Sequence, residues 1–230
     1  MPALFRDRRD AGRRLAEAVA ERHFERPMVI ALPKGGVAVA IEVAEALRAP
    51  LHVLPVHRIC VFPRCELEVA AVAAGDPPTV EVDAYALAGS GMSMDEVRDE
   101  VARHLAQMTD LTRMPLPPLD ASTAIVVDDG VLTGTTARAA LAALRRHGAA
   151  RVVLAVPLAA AAALPALRGA ADEVICLATP LPFGALGAHY EHFEPVHAED
   201  VDRELARCRL AASRSRVPAH AGVAAGFDRP

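Results

Sequence analysis

Two segments of the chain carry residues whose types and spacing are suited to chemistry. The first, from Thr123 to Thr136, reads TAIVVDDGVLTGTT. An apolar run ends in two adjacent carboxylates, Asp128 and Asp129, and a loop of glycines and threonines leads into a helical pattern. A helix start offers free N–H groups and partial positive charge to an anion, and paired carboxylates accept hydrogen bonds from a diol or orient Mg²⁺ through water. This order suits a sugar phosphate.

The second segment is a short turn after another apolar run, residues 28–32. It consists of Pro33, Lys34, Gly35 and Gly36 and is followed by the helical pattern VAVAIEVAEALR. Taken alone, this PKGG turn (residues 33–36) is equally well explained as a plain strand-to-helix connection. Ligands of parallel α/β sheets bind beyond the carboxyl ends of the strands. Both segments follow strands, so we expect them on one rim of the sheet.

Helix and strand signals alternate along the chain, which predicts an α/β fold with a doubly wound, mostly parallel sheet. The uninterrupted apolar runs at 124–127 and 152–156 are typical of strands covered on both faces. Residues 57–92 are expected to be irregular, with weak β signals at 67–73 and 79–83, and to include a mobile loop and a small hood or flap. One domain over residues 1–212 and a flexible tail over 213–230 are expected. The predicted strands are 28–32, 51–56, 123–128, 152–156 and 173–177, and the predicted helices are 7–22, 37–48, 93–108, 136–147, 159–168 and 198–209.

Composition narrows the class of protein. The formal net charge is −4, which gives no reason to expect nucleic-acid or membrane-surface binding. The charged N-terminal stretch does not resemble a signal peptide, and the longest apolar run is too short for a membrane span. A cytoplasmic protein is therefore expected. The four cysteines form no C-x-x-C pair, so reduced thiols are expected rather than a zinc site or disulfide framework.

Two common phosphate-binding motifs are absent: the chain has no P-loop sequence and no G-x-G-x-x-G fingerprint. VVDDGVLTGTT instead resembles the phosphoribosyl-pyrophosphate (PRPP) motif of type I phosphoribosyltransferases. The PKGG turn resembles the pyrophosphate loop of the same family, in which a non-proline cis peptide is frequent. Further likeness, in FRDRRDAGRRLA and EVICLATPLPFGALGAHYEHF, points to a bacterial subgroup of the family and extends over about residues 4–205.

The resemblance implies roles for particular residues. Asp128 and Asp129 would face the ribose hydroxyls and hold Mg²⁺, through water, and Arg58 would add charge for catalysis. The PKGG turn would bind pyrophosphate. The 5-phosphate would be cradled by the threonine loop (residues 130–136), which consists of Gly130, Val131, Leu132, Thr133, Gly134, Thr135 and Thr136. The family displaces pyrophosphate at the anomeric carbon of PRPP by a nitrogen nucleophile, so no covalent enzyme nucleophile is expected. Its members commonly form homodimers.

Three departures from the family pattern affect the expected substrate. Leu132 stands where 6-oxopurine enzymes have an aspartate base, so hypoxanthine and guanine are poor candidates for the acceptor. Relatives carry glycines after a basic pair in the loop over the pyrophosphate, and bulky residues at 57–65 replace them here. Arg58 keeps one of the two positive charges, and Arg64 is a weaker candidate for a basic residue of this loop. His189 stands where relatives often have Trp. It would stack on a base less well than Trp, or it is a surface histidine beside a core Tyr190.

The sequence leaves the acceptor unnamed and keeps rival functions open. One rival is a regulator that binds PRPP or a nucleotide on this fold without efficient catalysis. Another is an enzyme that cleaves nucleotides by the reverse reaction or with water. His192 and His197 have a spacing that a metal could use, but no cysteine or carboxylate pattern supports such a site.

Overall fold

In a computed structural model, residues 3–61, 67–108, 116–197 and 199–206 are described. The strands are β1 Pro27–Ala31, β2 Leu51–Val53, β3 Val56–Cys60, β4 Glu68–Ala73, β5 Thr79–Val82, β6 Thr123–Val127, β7 Arg151–Leu158 and β8 Glu173–Ala178. The helices are α1 Arg8–Ala20, α2 Gly36–Leu47, α3 Ala84–Ser90, α4 Met94–Met108, α5 Thr135–Arg146 and α6 Leu164–Ala170, and a further helix covers 199–206.

A five-stranded parallel sheet with the order β2-β1-β6-β7-β8 forms the centre of the fold. In two neighbouring strands of this sheet, Pro27 pairs with Thr123 and Ala31 pairs with Val127. The carboxyl ends of β1 and β6 are therefore level. The segments that follow them, the PKGG turn and the threonine loop, leave the sheet side by side, as the sequence predicts. The α/β fold class is confirmed.

The central strands are apolar throughout because each face of the sheet is covered. In β6, Ala124 and Val126 pack on the side of α5, whereas Ile125 and Val127 pack on the side of α1 and α2. All five residues of β6 are buried. A strand with two buried faces has no solvent side that would call for alternating polar residues.

The region expected to be mostly irregular contains a second sheet. Strands β3, β4 and β5 pair antiparallel in that order, and α3 and α4 cover one face. Ile59, Val69 and Val72 pack toward these helices, whereas Ala71 and Ala73 belong to the main core beside α5. The expectation of an irregular 57–92 segment was wrong, but the weak β signals at 67–73 and 79–83 coincide with β4 and β5. The β pattern of the alanine-rich β4 is weak, and burial on both faces stabilises this strand.

Helix α5 joins the two sheets and so holds the threonine loop between them. Its buried face, which includes Leu141 and Leu144, packs in the main core. On its other side Arg138 Nε donates to Glu81 Oε1 in β5 at 3.0 Å. The loop at the N-terminus of α5 is therefore fixed by both sheets rather than by one.

Most other predicted helices and strands begin and end within a few residues of the observed ones. The strand predicted at 51–56 was too long: β2 ends at Val53, and Val56 is the first residue of β3 in the other sheet.

Ser93 and Glu96 form the predicted capping box at α4: the Ser93 N–H donates to Glu96 Oε2 at 2.8 Å, and the Glu96 N–H donates to Ser93 Oγ at 3.2 Å. The helix expected from residue 159 instead starts with a 3₁₀ turn, Ala161–Ala163, before α6. The tail 213–230 lies outside the described residues.

Two expectations drawn from composition have different outcomes. Among the described residues, no helix is long and apolar enough to cross a membrane. The expectation of reduced thiols was wrong for Cys60, which is disulfide-bonded, whereas Cys176 is free. Cys65 and Cys208 lie outside the described residues.

Replacing Leu141 by alanine tests the importance of the α5 contact with the main core. Leu141 is fully buried, so Leu141→Ala leaves a cavity and should lower the free energy of unfolding by about 2–5 kcal/mol in urea titrations. Leu132→Ala is the matched control, because Leu132 is 52% exposed, and it should change stability by no more than about 0.5 kcal/mol. Equal losses in the two variants would contradict this account of the core.

Candidate functional site

The PKGG turn touches the two adjacent acids, Asp128 and Asp129, at the carboxyl ends of β1 and β6. A Cβ added at Gly35 would lie 1.9 Å from Asp129 Oδ2. One added at Gly36 would lie 2.8 Å from the Val127 carbonyl oxygen and 2.9 Å from the Asp128 Cα. Neither position has room for a side chain. The two glycines of the turn are therefore required by the close approach of the paired carboxylates.

The PKGG turn exposes its first two residues and buries its last. Pro33 and Lys34 are exposed, and Gly36, the first residue of α2, is buried. The Pro33–Lys34 peptide is cis, as the family resemblance implies. The Lys34 side chain is thus available to a ligand at the edge of the sheet, and the turn brings backbone close to the acids.

Asp129 is held by two residues that are remote in sequence. Arg8 Nε donates to Asp129 Oδ2 at 2.7 Å, and the two side chains are only 13% and 11% exposed. The Tyr190 hydroxyl donates to the Asp129 backbone oxygen at 2.5 Å. A buried carboxylate needs a positive partner and good hydrogen bonds, and Arg8 supplies the partner. Burial, followed by the charge of Asp129, raises the pKa of Tyr190, so its hydroxyl stays a donor.

Arg8 is itself held in place on three sides. Its guanidinium carbon lies 3.7 Å from the centre of the Phe193 ring, and Nη1 donates to the Glu194 backbone oxygen at 2.9 Å. Phe193 in turn stacks on Tyr190, with ring centres 5.0 Å apart. These contacts connect the start of α1 and the 190–194 segment to the acid pair. A stacked, hydrogen-bonded guanidinium is a rigid partner for a carboxylate.

Asp128 lies in a different electrostatic environment from its neighbour. Burial, with the negative charge of Asp129 as the next cause, raises the pKa of Asp128 well above its usual range. Its Oδ1 accepts the Asp129 N–H at 2.9 Å. Arg58, exposed on β3, lies near enough for its charge to oppose this rise. The adjacent acids are thus unequal, because Asp129 has an arginine partner and Asp128 does not have a comparable one among the described residues.

The threonine loop carries its hydroxyls at the beginning of α5. Gly134 has a φ of 86° and is the residue before the helix, where no side-chain cap is made. That left-handed backbone favours glycine. The Thr135 hydroxyl donates to Thr133 Oγ1 at 3.3 Å, and the hydroxyls of Thr133 and Thr136 both point to the Glu68 carboxylate on β4. The loop is arranged to donate hydrogen bonds to a negatively charged group.

The remaining residues of the loop connect it to the sheet. Val131 is buried, and its N–H donates to the Leu158 backbone oxygen at 2.9 Å. Gly130 is tightly enclosed, because a Cβ there would meet Leu186 and Leu158 at 2.3 and 2.8 Å. Leu132 is exposed at the tip of the loop. The structure therefore brings together the residues predicted from both motifs, with Arg58 facing them from the small sheet.

Several candidates outside the two motifs have other positions. His189 is buried rather than on the surface: its Nε2 lies 2.6 Å from the Phe183 carbonyl oxygen, and its ring packs on Phe183. The alternative of a surface histidine was wrong, whereas the core position of Tyr190 is confirmed. Arg64 lies outside the described residues. His192 and His197 are not part of any group of three or more potential metal ligands in the described part of the chain.

Three residues of the site could not be assigned from the motifs alone: Arg8, Glu68 and the Tyr190 hydroxyl. Arg8 is one of several arginines in FRDRRDAGRR, and Glu68 belongs to a weak β pattern. The only signal in the sequence was that FRDRRDAG, near the start, and HYEHF, at residues 189–193, lie in the two further segments that resemble the family and carry charged and aromatic residues. Their partners are 60 or more residues away in sequence.

Comparisons with known proteins agree with this geometry. A family model described as "Phosphoribosyl transferase domain" matches residues 6–180. The crystal structure of TT1426 from Thermus thermophilus superposes with a TM-score of 0.71 and 36% identity, over 88% of this chain and 98% of that chain.

Two curated proteins of Mycobacterium tuberculosis are also similar. They are named "Putative phosphoribosyl transferase Rv0571c" and "Putative phosphoribosyl transferase MT0597", and each is 39% identical over 203 residues. The match covers 86% of this chain but 45% of each relative, so the chain spans a little under half the length of these relatives.

Removing Arg8 should be far more costly than removing its neighbour Arg9. Arg8→Ala leaves the buried Asp129 carboxylate without its charge partner and should destabilise the protein by about 3–5 kcal/mol at pH 7 in urea unfolding. Arg9 pairs with Glu204 at 2.7 Å with a half-exposed side chain, so Arg9→Ala should cost less than about 1 kcal/mol. Adding Asp129→Asn to Arg8→Ala should recover part of the loss. No recovery would show that Arg8 acts through packing alone.

The raised pKa of Asp128 predicts a pH-dependent gain of stability in Asp128→Asn. The folded protein disfavours the charged form, so wild type loses stability as pH rises above 3.8, the ordinary value. The neutral variant avoids this loss. The melting temperature of the variant should exceed that of wild type at pH 7–8 in EDTA. The increase should be about 2–4 °C for each kcal/mol gained in the free energy of unfolding, and it should shrink toward pH 4.

Asp172→Asn is a control in which stability should change in the opposite direction. Burial pushes the pKa of Asp172 up, but hydrogen bonds from Arg145 and the Val152 N–H outweigh it and leave the pKa lowered. This variant should be less stable than wild type at pH 7. A gain for Asp128→Asn that is independent of pH would contradict the electrostatic explanation.

Proposed function

The chain belongs to the phosphoribosyl transferase domain family, and we propose that it transfers the phosphoribosyl group of PRPP to a small acceptor with displacement of pyrophosphate. One observation carries the proposal: two anion-suited segments, the PKGG turn and the threonine loop, converge on one pair of carboxylates. PRPP has a phosphate at one end, a pyrophosphate at the other and a diol between them. In the site, the two carboxylates likewise lie between the PKGG turn and the threonine loop.

Each part of the site has a proposed role. Lys34 and the backbone of Gly35 and Gly36 bind the pyrophosphate, and the threonine loop binds the 5-phosphate. Asp128 and Asp129 accept hydrogen bonds from the ribose hydroxyls. Arg8 and Tyr190 keep Asp129 in place for this contact. Fixed dipoles and charges around a bound sugar stabilise charge that develops in the transition state without costly rearrangement.

The residues present fit Mg²⁺ as the cofactor. Asp128 and Asp129 are hard oxygen ligands. Burial and the neighbouring charge of Asp129 raise the pKa of Asp128, and a bound cation would favour its charged form. No third His, Cys, Asp or Glu completes a ligand group among the described residues, and Mg²⁺ typically keeps waters and takes phosphate oxygens instead. When bound, Mg²⁺ would neutralise charge on the leaving pyrophosphate. Arg58, exposed on β3, would add to this from the side of the small sheet.

The acceptor is proposed to be a nitrogen nucleophile of the heterocyclic-base type other than a 6-oxopurine. Leu132 is exposed at the tip of the threonine loop and carries no group that could take a proton. An enzyme that relies on an aspartate at this position would therefore lack its base here. A homodimer in the cytoplasm that acts in nucleotide metabolism belongs to the same proposal.

The direct test is release of pyrophosphate from PRPP and Mg²⁺ across a panel of bases. Wild type should bind PRPP and turn over at least one base, while guanine and hypoxanthine should be poor substrates. Asp128→Asn combined with Asp129→Asn should weaken PRPP binding at least tenfold in calorimetry, since every 1.4 kcal/mol lost is about tenfold in affinity. Asp120→Asn, in the segment before β6, is a control that should leave binding unchanged.

The possible results separate the candidate functions. Tight binding of PRPP without turnover of any base would favour a regulator that uses this fold to sense PRPP. Efficient turnover of guanine would overturn the inference from Leu132. Unchanged affinity in the double variant would overturn the proposed site in both functions.

A further inference from the structure

The Glu68 carboxylate makes two hydrogen bonds with the threonine loop. Its Oε1 accepts the Thr136 hydroxyl at 2.6 Å, and its Oε2 accepts the Thr133 hydroxyl at 3.2 Å. Glu68 is the first residue of β4 and belongs to the small sheet, 65 and 68 residues before its two partners. Each carboxylate oxygen thus engages a different hydroxyl of the loop.

The Glu68 carboxylate resembles a phosphate, because both are anions whose oxygens accept hydrogen bonds. The Thr133 and Thr136 hydroxyls donate to it at the beginning of α5, where the helix favours negative charge. A phosphate that used these two hydroxyls would meet the Glu68 oxygens at the same donors. Two anions cannot share one hydroxyl proton, and their charges repel each other at such short range.

The position of Glu68 allows the contact to open without unfolding of the small sheet. Its side chain is half-buried, and it lies at the end of β4, opposite Cys60, where the pairing of β3 and β4 is irregular. The rest of β4, from Val69 to Ala73, is buried between β3 and β5. Rotation of one side chain is enough to release both hydroxyls.

We propose that Glu68 is an internal competitor that lowers the affinity of the threonine loop for phosphorylated ligands. The loop exchanges the Glu68 carboxylate for the phosphate of its ligand. The affinity of every phosphate that uses these hydroxyls falls by the same factor, so free phosphate binds weakly, whereas a ligand with further contacts, such as those of the PKGG turn and the acid pair, still binds. This inference rests on the proposed function, because it assigns the threonine loop to the 5-phosphate.

Two variants of Glu68 test the exchange by calorimetry at fixed ionic strength. Ribose 5-phosphate is the probe for the threonine loop, and pyrophosphate with Mg²⁺ is the probe for the PKGG turn. A contact present in about nine of ten molecules lowers apparent affinity about tenfold, so Glu68→Ala should bind ribose 5-phosphate about tenfold more tightly than wild type. Glu68→Gln removes the charge but keeps an acceptor, and it should give a smaller gain. Pyrophosphate affinity should not change.

Glu100→Gln is the matched control. Glu100 is a half-buried carboxylate of α4, the helix that covers the small sheet, and it pairs with Arg103 on the same helix. This variant should leave the affinity for ribose 5-phosphate at the wild-type value. Thermal unfolding of each variant shows that it is folded, and Glu68→Gln remains a test if Glu68→Ala is not.

Each alternative result has one meaning. If wild type binds PRPP but the Glu68 variants bind ribose 5-phosphate no more tightly than wild type, the competitor role is overturned. An equal change in the affinity for pyrophosphate, or an equal change in Glu100→Gln, also overturns it, because the effect would then come from the net charge of the protein. If neither wild type nor any variant binds PRPP or ribose 5-phosphate, the proposed function itself is overturned.

Discussion

The placement of two adjacent carboxylates, Asp129 buried and Asp128 half-buried, at the end of β6 is the constraint on which the site depends. Asp129 requires a positive partner that is also shielded from solvent, and Arg8 meets this need only because Phe193 and the Glu194 carbonyl hold its guanidinium. The same carboxylate excludes a side chain from Gly35. The start of α1, the 190–194 segment and the PKGG turn are thus fixed around a single charged group.

Helix α5 connects this site to the second sheet. It starts at the threonine loop, packs its apolar face on the parallel sheet and binds Glu81 through Arg138. The small sheet consequently presents Glu68 and Arg58 to the rim where β1 and β6 end. Loops that carry function are thereby positioned by rigid elements on both sides, and small shifts of the second sheet would be felt directly by the hydroxyls of the loop.

The sequence was sufficient for the parallel sheet and for the two loops because their signals are local. Apolar runs such as 124–127 end in acids, and turn residues such as Gly35 follow directly. The second sheet was indicated only by the weak β signals at 67–73 and 79–83, since the alanine-rich β4 is stabilised by burial on both faces rather than by its own pattern. Arg8 and Glu68 could not be chosen among many similar charges, because their roles depend on partners 121 and 68 residues away.

The balance of charge at the rim explains why acids and anion-binding loops coexist there. Asp128, Asp129 and Glu68 bring negative charge to a place where helix starts and threonine hydroxyls favour an anion. Arg8 compensates Asp129, and the threonine loop compensates Glu68, whereas Asp128 keeps a raised pKa. A sugar carrying a phosphate and a pyrophosphate would add to this negative charge. Such a ligand therefore binds best when a divalent cation accompanies it and when the Glu68 side chain leaves the threonine loop. The cation acts on Asp128 and Asp129, whereas the second change involves Glu68. Substitution of one carboxylate at a time would separate the two effects.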